Sequence, residues 1–173
     1  MSHFHGILIT EVMLLKHYGK RFEEYMSTVK DVMSSPSIQR LENYDQHMGT
    51  SRLQHSINVS YKSFVLARLL GWDYRAAARA GLMHDMFYYN FRDAGYTARE
   101  HCRIHPQIAL RNARCNFSVS ERESDIISAH MLLTNWKKPK FKETYLIVAM
   151  DNLCALEEVI RGLFNKFTKE KKK

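Results

Sequence analysis

An all-α fold is predicted by three features of the sequence. Apolar residues recur at three- and four-residue spacing along most of its 173 residues, the period of a helix with one buried face. No stretch shows sustained alternation, or the Val/Ile/Thr runs bounded by turns that mark strands. Capping boxes and sparse Gly and Pro residues divide the chain into helical lengths, with no internal repeat.

The elements follow in order. A first helix is expected over residues 9–33, stopped by Ser34-Ser35-Pro36, and Pro36 then opens a short helix through Leu41. A turn follows at residues 46–50. Ser51 with Gln54 is a capping box; its helix ends at Gly71, a good C-terminal cap residue. Asp73 caps an alanine-rich helix carrying His84-Asp85, and a loop of about fifteen residues comes next, long enough to suggest a functional role. His105-Pro106 reads as an N-cap followed by proline at the first helical position. Ser120 with Glu123 is a second capping box, opening a helix to about Leu133. A loop at residues 137–142 leads to a last long helix over residues 143–164.

This length builds one sizeable core and is too short for two ordinary domains. Hydrophobic content of 45% with 25% charged residues is that of a soluble globular protein. The expected organisation is an N-terminal helical extension (residues 1–35), one compact bundle (36–165) and a basic tail (166–173). Nothing resembles a signal peptide or a membrane span. Cys102, Cys115 and Cys154, without a C-x-x-C spacing, argue against a disulfide framework or a thiolate zinc site. A reducing cytoplasm is the expected location.

The net charge of +8 raises the question of a nucleic-acid partner. Residues 166–173 contribute five lysines and one glutamate, and residues 137–142 four lysines without an acid. These two segments account for the whole excess. A basic tail and a basic loop are ordinarily solvated, so neither nucleic acid nor a membrane is the expected partner.

Titratable residues on apolar faces carry the chemistry. Asp151 has Ile147, Val148, Cys154 and Ala155 as its helical neighbours. A carboxylate buried there needs a cation, a proton or a hydrogen-bond network, and a structural ion pair would suffice. His130 lies among Ile126, Ile127 and Leu133, where a satisfied core histidine would be ordinary. His55 sits beside Val59 at the edge of a stripe formed by Leu53, Ile57, Tyr61 and Phe64, and His105 at a helix start can act as a cap. Taken together, His55, His84-Asp85, His105, His130 and Asp151 occupy five successive helical elements, 21 to 29 residues apart. One inward group per helix brings four imidazoles and two carboxylates to a common point. That set suits one or two borderline divalent ions and leaves positions open for water and substrate.

His55, then His84-Asp85, then Asp151 resembles the H…HD…D signature of the HD-domain superfamily of metal-dependent phosphohydrolases, and His105-Pro106 with His130 resembles the additional ligands of its binuclear branch. The segments "TSRLQHSINVSY", "AARAGLMHDMFYYNFRD" and "HPQIALRNA" look like the small bacterial HD hydrolases. The resemblance spans roughly residues 46–158. It implies an HD-type helical bundle, to which the N-terminal helix read from the sequence pattern is an addition, and phosphoester or phosphoanhydride hydrolysis of a small nucleotide-like substrate. It also implies one or two divalent ions (Fe, Mn, Co, Ni, Zn or Mg). His55, His84, Asp85 and Asp151 would hold the first; His105 and His130, with Asp85 bridging, would hold the second. His84 and Asp85 would stand at the catalytic centre. Tyr88 replaces the lysine, and Met131 the second histidine, of the HD-GYP cyclic-dinucleotide phosphodiesterases, which speaks against that substrate.

Lys62, Arg92 and Arg103 are the candidate substrate cations, each with an ordinary surface role as the alternative. Tyr88, Tyr89 and Trp136 could stack a base, or simply pack. His101 precedes His105 by four residues, but in a loop that spacing fixes no common face. His3, His5, His17 and His47 have no evident partner. The first thirty or so residues are free to pack on the bundle or to make a homodimer contact. The competing functional reading is a non-catalytic, metal- and nucleotide-binding regulatory HD module.

Overall fold

The computed structural model describes residues 19–132, 134 and 137–170. Most of the N-terminal extension, His3, His5, His17, Trp136 and the last three lysines lie outside the described residues.

Seven helices make up most of the described chain. They are α1 (Gly19–Met33), α2 (Pro36–Gln39), α3 (Arg52–Leu69), α4 (Tyr74–Met83), α5 (Ala98–Asn116), α6 (Glu121–Ala129) and α7 (Lys142–Glu170). A 3-10 turn (Arg40–Asn43) follows α2. A small antiparallel hairpin, β1 (Asp45–His47) and β2 (Thr50–Ser51), occupies the segment expected to be a plain turn. Both residues at its tip have positive φ, Met48 at 49° and Gly49 at 87°, the left-handed pair that two-residue hairpins favour.

The helix starts follow from their caps. Ser51 Oγ accepts the N–H of Gln54 at 3.1 Å; the Gln54 side chain donates to Asn58 instead of closing the box. Asp73 caps α4 through the N–H of Ala76. Ser120 and Glu123 form a complete capping box. Just past the end of α3, after the cap residue Leu70, Gly71 has a φ of 66°, as a glycine that terminates a helix should.

The start of α5 corrects the sequence reading. His105-Pro106 does not open a helix: Thr97 and Glu100 form a capping box eight residues upstream, and Pro106 lies inside α5. A proline there leaves the carbonyl four residues back without its helical donor. That carbonyl belongs to Cys102, and it accepts the Thr134 hydroxyl at 3.3 Å. The proline is tolerated because another element supplies the missing donor.

α3 and α4 form the most extensive helix pair, α7 crosses α3, α6 packs on both α4 and α5, and α1 lies against α4. Close approach at the central pair depends on small residues. A Cβ on Gly81 would stand 2.7 Å from the Cα of Ser60, and Ser60 Oγ donates to the carbonyl of Ala78 at 2.6 Å. Tyr25, Val29 and Val32 of α1, Phe64 of α3, Leu82 and Met83 of α4, Ile126 and Ile127 of α6 and Ile147 of α7 fill the core. The 137–142 loop is held at its end by buried Asp125, whose carboxylate accepts the N–H groups of Lys140 and Phe141 and the Thr144 hydroxyl. Three of its lysines have partners: Lys137 donates to Ser128 Oγ, Lys140 pairs with Glu121, and Lys142 lies over the Trp72 ring. No helix among the described residues is long and apolar enough to cross a membrane.

Candidate metal centre

Two of the site histidines are positioned by the same local device. α4 ends at Met83 with His84 as its C-cap, and α6 ends at Ala129 with His130 as its C-cap. Both helices stop at these histidines, so His84-Asp85 follows α4 and α6 is shorter than expected. The last carbonyls of a helix lack intrahelical donors. His84 Nδ1 lies 2.7 Å from the carbonyl of Gly81, and His130 Nδ1 2.8 Å from that of Ile127. Each ring therefore satisfies the end of its own helix through Nδ1 and turns Nε2 inward. The negative ends of two helix dipoles meet at this point, a setting that favours a cation.

His105 reaches the same arrangement from mid-helix, with Nδ1 2.9 Å from the carbonyl of His101. A neutral imidazole has one ring proton. Where a carbonyl takes it at Nδ1, Nε2 presents a lone pair. His105 and His130 point these Nε2 atoms at each other, 2.9 Å apart in the buried interior. Two lone pairs at that distance repel unless positive charge lies beside them. Burial, together with the neighbouring His105 and His84 rings, pushes His130 down to about 3, so protonation of His130 is not the remedy at neutral pH.

Asp85 lies between two groups of ligands. Its Oδ1 is 3.2 Å from His105 Nε2 and 3.7 Å from His130 Nε2; its Oδ2 is 3.6 Å from His84 Nε2. Both Asp85 Oδ1 and His84 Nε2 are buried without a hydrogen-bond partner. Burial alone would raise the Asp85 carboxyl, but the surrounding His84, His105 and His130 hold it well below the usual carboxylate range. On the other flank, His55 Nε2 is 2.9 Å from Asp151 Oδ1, which also lies 3.8 Å from His84 Nε2. Burial pushes His55 down, yet its hydrogen bonds to Asp151 and Glu158 prevail and lift it to about 10. Asp151, against its own burial, is lowered by its hydrogen bond to His55 and by the nearby His84 ring.

All six expected ligand residues thus converge. The donor atoms of His55, His84 and Asp85 lie within 4.8 Å of one another, and so do those of Asp85, His105 and His130, with Asp85 common to both groups. The donor set fits divalent ions. It consists of nitrogen and oxygen only, its imidazole tautomers are fixed from outside, and two of its buried polar atoms have no other partner.

Three supporting residues escaped the sequence reading. Glu158 is almost fully buried, and its Oε2 accepts from His55 Nδ1 at 3.0 Å; it falls two turns after Asp151 on the same helix, a spacing that could have exposed it. Gln46 donates to Asp85 Oδ2 at 2.6 Å, and buried Arg52 donates to Gln46 Oε1 at 2.9 Å. Arg52 also donates to the carbonyl of Phe87 and lies 3.6 Å from the centre of the Phe87 ring, tying the hairpin to the chain just beyond Asp85. Neither residue carries a sequence signal, because the contact joins a turn to a loop. His47 also has its place here, grouped with His55 and Glu158 on the outer side.

A cleft of about 480 Å³ opens over Asp85, His105, His130 and Asp151. His101 is one of its walls. It shares α5 with His105 and stacks on it at 4.5 Å and on Phe91 at 4.8 Å, so the four-residue spacing does fix a common face. Arg92 borders the cleft, its guanidinium 5.1 Å from the Phe91 ring centre. Lys62 and Arg103 are not among the residues lining it; Lys62 pairs with Glu157. Tyr88 donates to the carbonyl of Ser37 and packs against the core, and the Tyr89 hydroxyl lies 3.2 Å from His101 Nδ1.

The HD domain family matches residues 52–156, a span that holds every one of the six converging ligand residues. The chain belongs to the HD-domain family. HD domains are in general metal-dependent phosphohydrolases that bind divalent ions, and the buried His/Asp groups of this HD domain stand where such ions would be held. Comparison with curated proteins and with solved structures found no match.

Proposed function

We propose that this HD domain hydrolyses a phosphoester or phosphoanhydride bond of a small nucleotide-like molecule. His55, His84, Asp85 and Asp151 would hold one divalent ion, and Asp85, His105 and His130 a second. The observation that carries the reading is the opposed pair of His105 and His130 Nε2 atoms, 2.9 Å apart beside the unpartnered Asp85 Oδ1. Such divalent ions, when bound, stabilise charge on phosphoryl oxygens and bring the acidity of water near neutrality.

The protein's own part is positioning. Carbonyls of Gly81, His101 and Ile127 fix three imidazoles by their Nδ1 atoms, and Glu158 fixes the fourth. Gln46, itself held by Arg52, fixes Asp85 from the side of Oδ2, leaving Oδ1 toward His105 and His130. His84 and Asp85 would thereby form the centre of the metal site, with Asp85 lining the cleft where substrate would enter. The cleft accepts a small molecule: the stacked rings of Phe91 and His101 form part of its wall, and Arg92 offers a cation to a phosphate.

The test is turnover by the purified protein, stripped of metal and resupplied with Mn, Fe, Co, Ni, Zn or Mg, on phosphomonoesters and dinucleotides. Metal-dependent hydrolysis that falls to background in both Asp85→Ala and His55→Ala is expected. Background rates with every metal and substrate would favour a non-catalytic binding module instead.

A further inference from the structure

α7 carries two apolar faces. One, with Ile147 and Cys154, is packed into the core. On the opposite side Leu153, Leu156, Ile160, Leu163 and Phe167 recur at spacings of three, four, three and four. All five are exposed, Leu156 at 57% and Phe167 at 62%. Val159 and Phe164 flank the row and are exposed as well. Seven large side chains open to this degree present on the order of 600–700 Å² of apolar surface, beyond the largest patch on a typical monomer.

We propose that this face pairs with the same face of a second copy of the chain, α7 against α7. The alternating three and four spacing is the seam of a two-helix coiled coil, in which each row supplies knobs for the holes of the other. A two-fold axis makes one such row its own complement. Pairing would cover roughly 1,200–1,400 Å² in total, which reaches the range of stable interfaces.

Charge separates this partner from others. Between residues 153 and 167 the helix carries Glu157, Glu158, Arg161 and Lys166, two of each sign. Glu158 is buried on His55, and Glu157 pairs with Lys62. Two copies therefore meet without like-charge repulsion, although the whole chain is at +8. An anionic lipid surface or a nucleic acid would call for a basic border along the whole row; within it only Arg161, which donates to Thr50, and Lys166 are basic, and the other lysines of the segment lie beyond its end.

Sedimentation equilibrium of the full-length protein across the micromolar range tests the proposal. A dimeric mass is expected, with dissociation at least about tenfold easier in the double variant Leu156→Glu/Ile160→Glu and an unchanged helical circular dichroism spectrum. A wild-type protein that stays monomeric throughout overturns it, and means that something else, such as residues 1–18, covers the row. A dimer of undiminished stability in the double variant overturns it equally, as does a monomer recruited to vesicles of anionic lipid. Should the double variant fail to fold, the milder Leu156→Gln is expected to weaken the dimer in the same direction.

Discussion

His55 differs from the other three site histidines in what holds its Nδ1. His84, His105 and His130 each meet a backbone carbonyl, whereas His55 meets the carboxylate of Glu158. A carboxylate behind an imidazole fixes the ring and raises its basicity toward a metal. Glu158→Gln keeps the shape of the side chain and removes its charge. It is expected to lower metal affinity or turnover by about 10–100-fold, the usual cost of losing such a partner, measured by metal titration and by kcat/KM. An unchanged affinity would make Glu158 a packing residue only. The ligands themselves were legible because each is a titratable side chain set among apolar neighbours. Gln46 and Arg52 were not, since their polar groups meet Asp85 and Phe87 across the hairpin and loop and no helical period records that contact.

At the scale of elements, helices are placed by small residues and by charged clamps at their ends. α3 reads poorly as an amphipathic helix because its buried face includes Ser56, Ser60 and Ser63, so the expected stripe of Ile57 and Tyr61 is only partly buried. The reason is the close approach of α4 at Gly81. Gly81→Ala would force a methyl group against the Ser60 backbone and is expected to cost about 1–3 kcal/mol, read as a lower midpoint in urea. No change in midpoint would mean that the α3–α4 contact is looser than described.

Glu143, in the first turn of α7, joins three helix starts. It accepts the N–H of Asp73 at 2.9 Å and pairs with Arg122 at 2.5 Å, while Arg122 also reaches Asp73. Burial would raise the Glu143 carboxyl, but the Asp73 N–H and Arg122 keep it below its ordinary value of 4.5. A carboxyl lowered in the folded state contributes stability that is complete above 4.5 and is lost as pH falls through the lowered value. Glu143→Gln is therefore expected to destabilise the protein by about 1–3 kcal/mol at neutral pH. The gap to wild type should close as urea midpoints are followed down to acid pH. A gap independent of pH would show that the charge on Glu143 is not what matters.

Over the whole molecule, the helical period and the caps foretold an α bundle, and the structure is one. Among the described residues, the one misplaced helix start, at His105-Pro106, arose because proline signals an N-terminus only when nothing else satisfies the carbonyl behind it; here Thr134 does so from a distant loop. That error left the convergence untouched, because His105 is aimed by its own carbonyl bond inside α5. The bundle serves to bring the ends of α4 and α6 and the flanks of α3, α5 and α7 to one buried point. No single pair of these helices could place two groups of ligands around a shared aspartate.

The most direct measurement is anomalous diffraction from crystals of the protein loaded with Mn, joined to metal analysis in solution. The account predicts ions beside Asp85, one among His55, His84 and Asp151 and one between His105 and His130, both lost in Asp85→Ala. A protein that takes up no divalent ion, or that binds one away from these side chains, would contradict it.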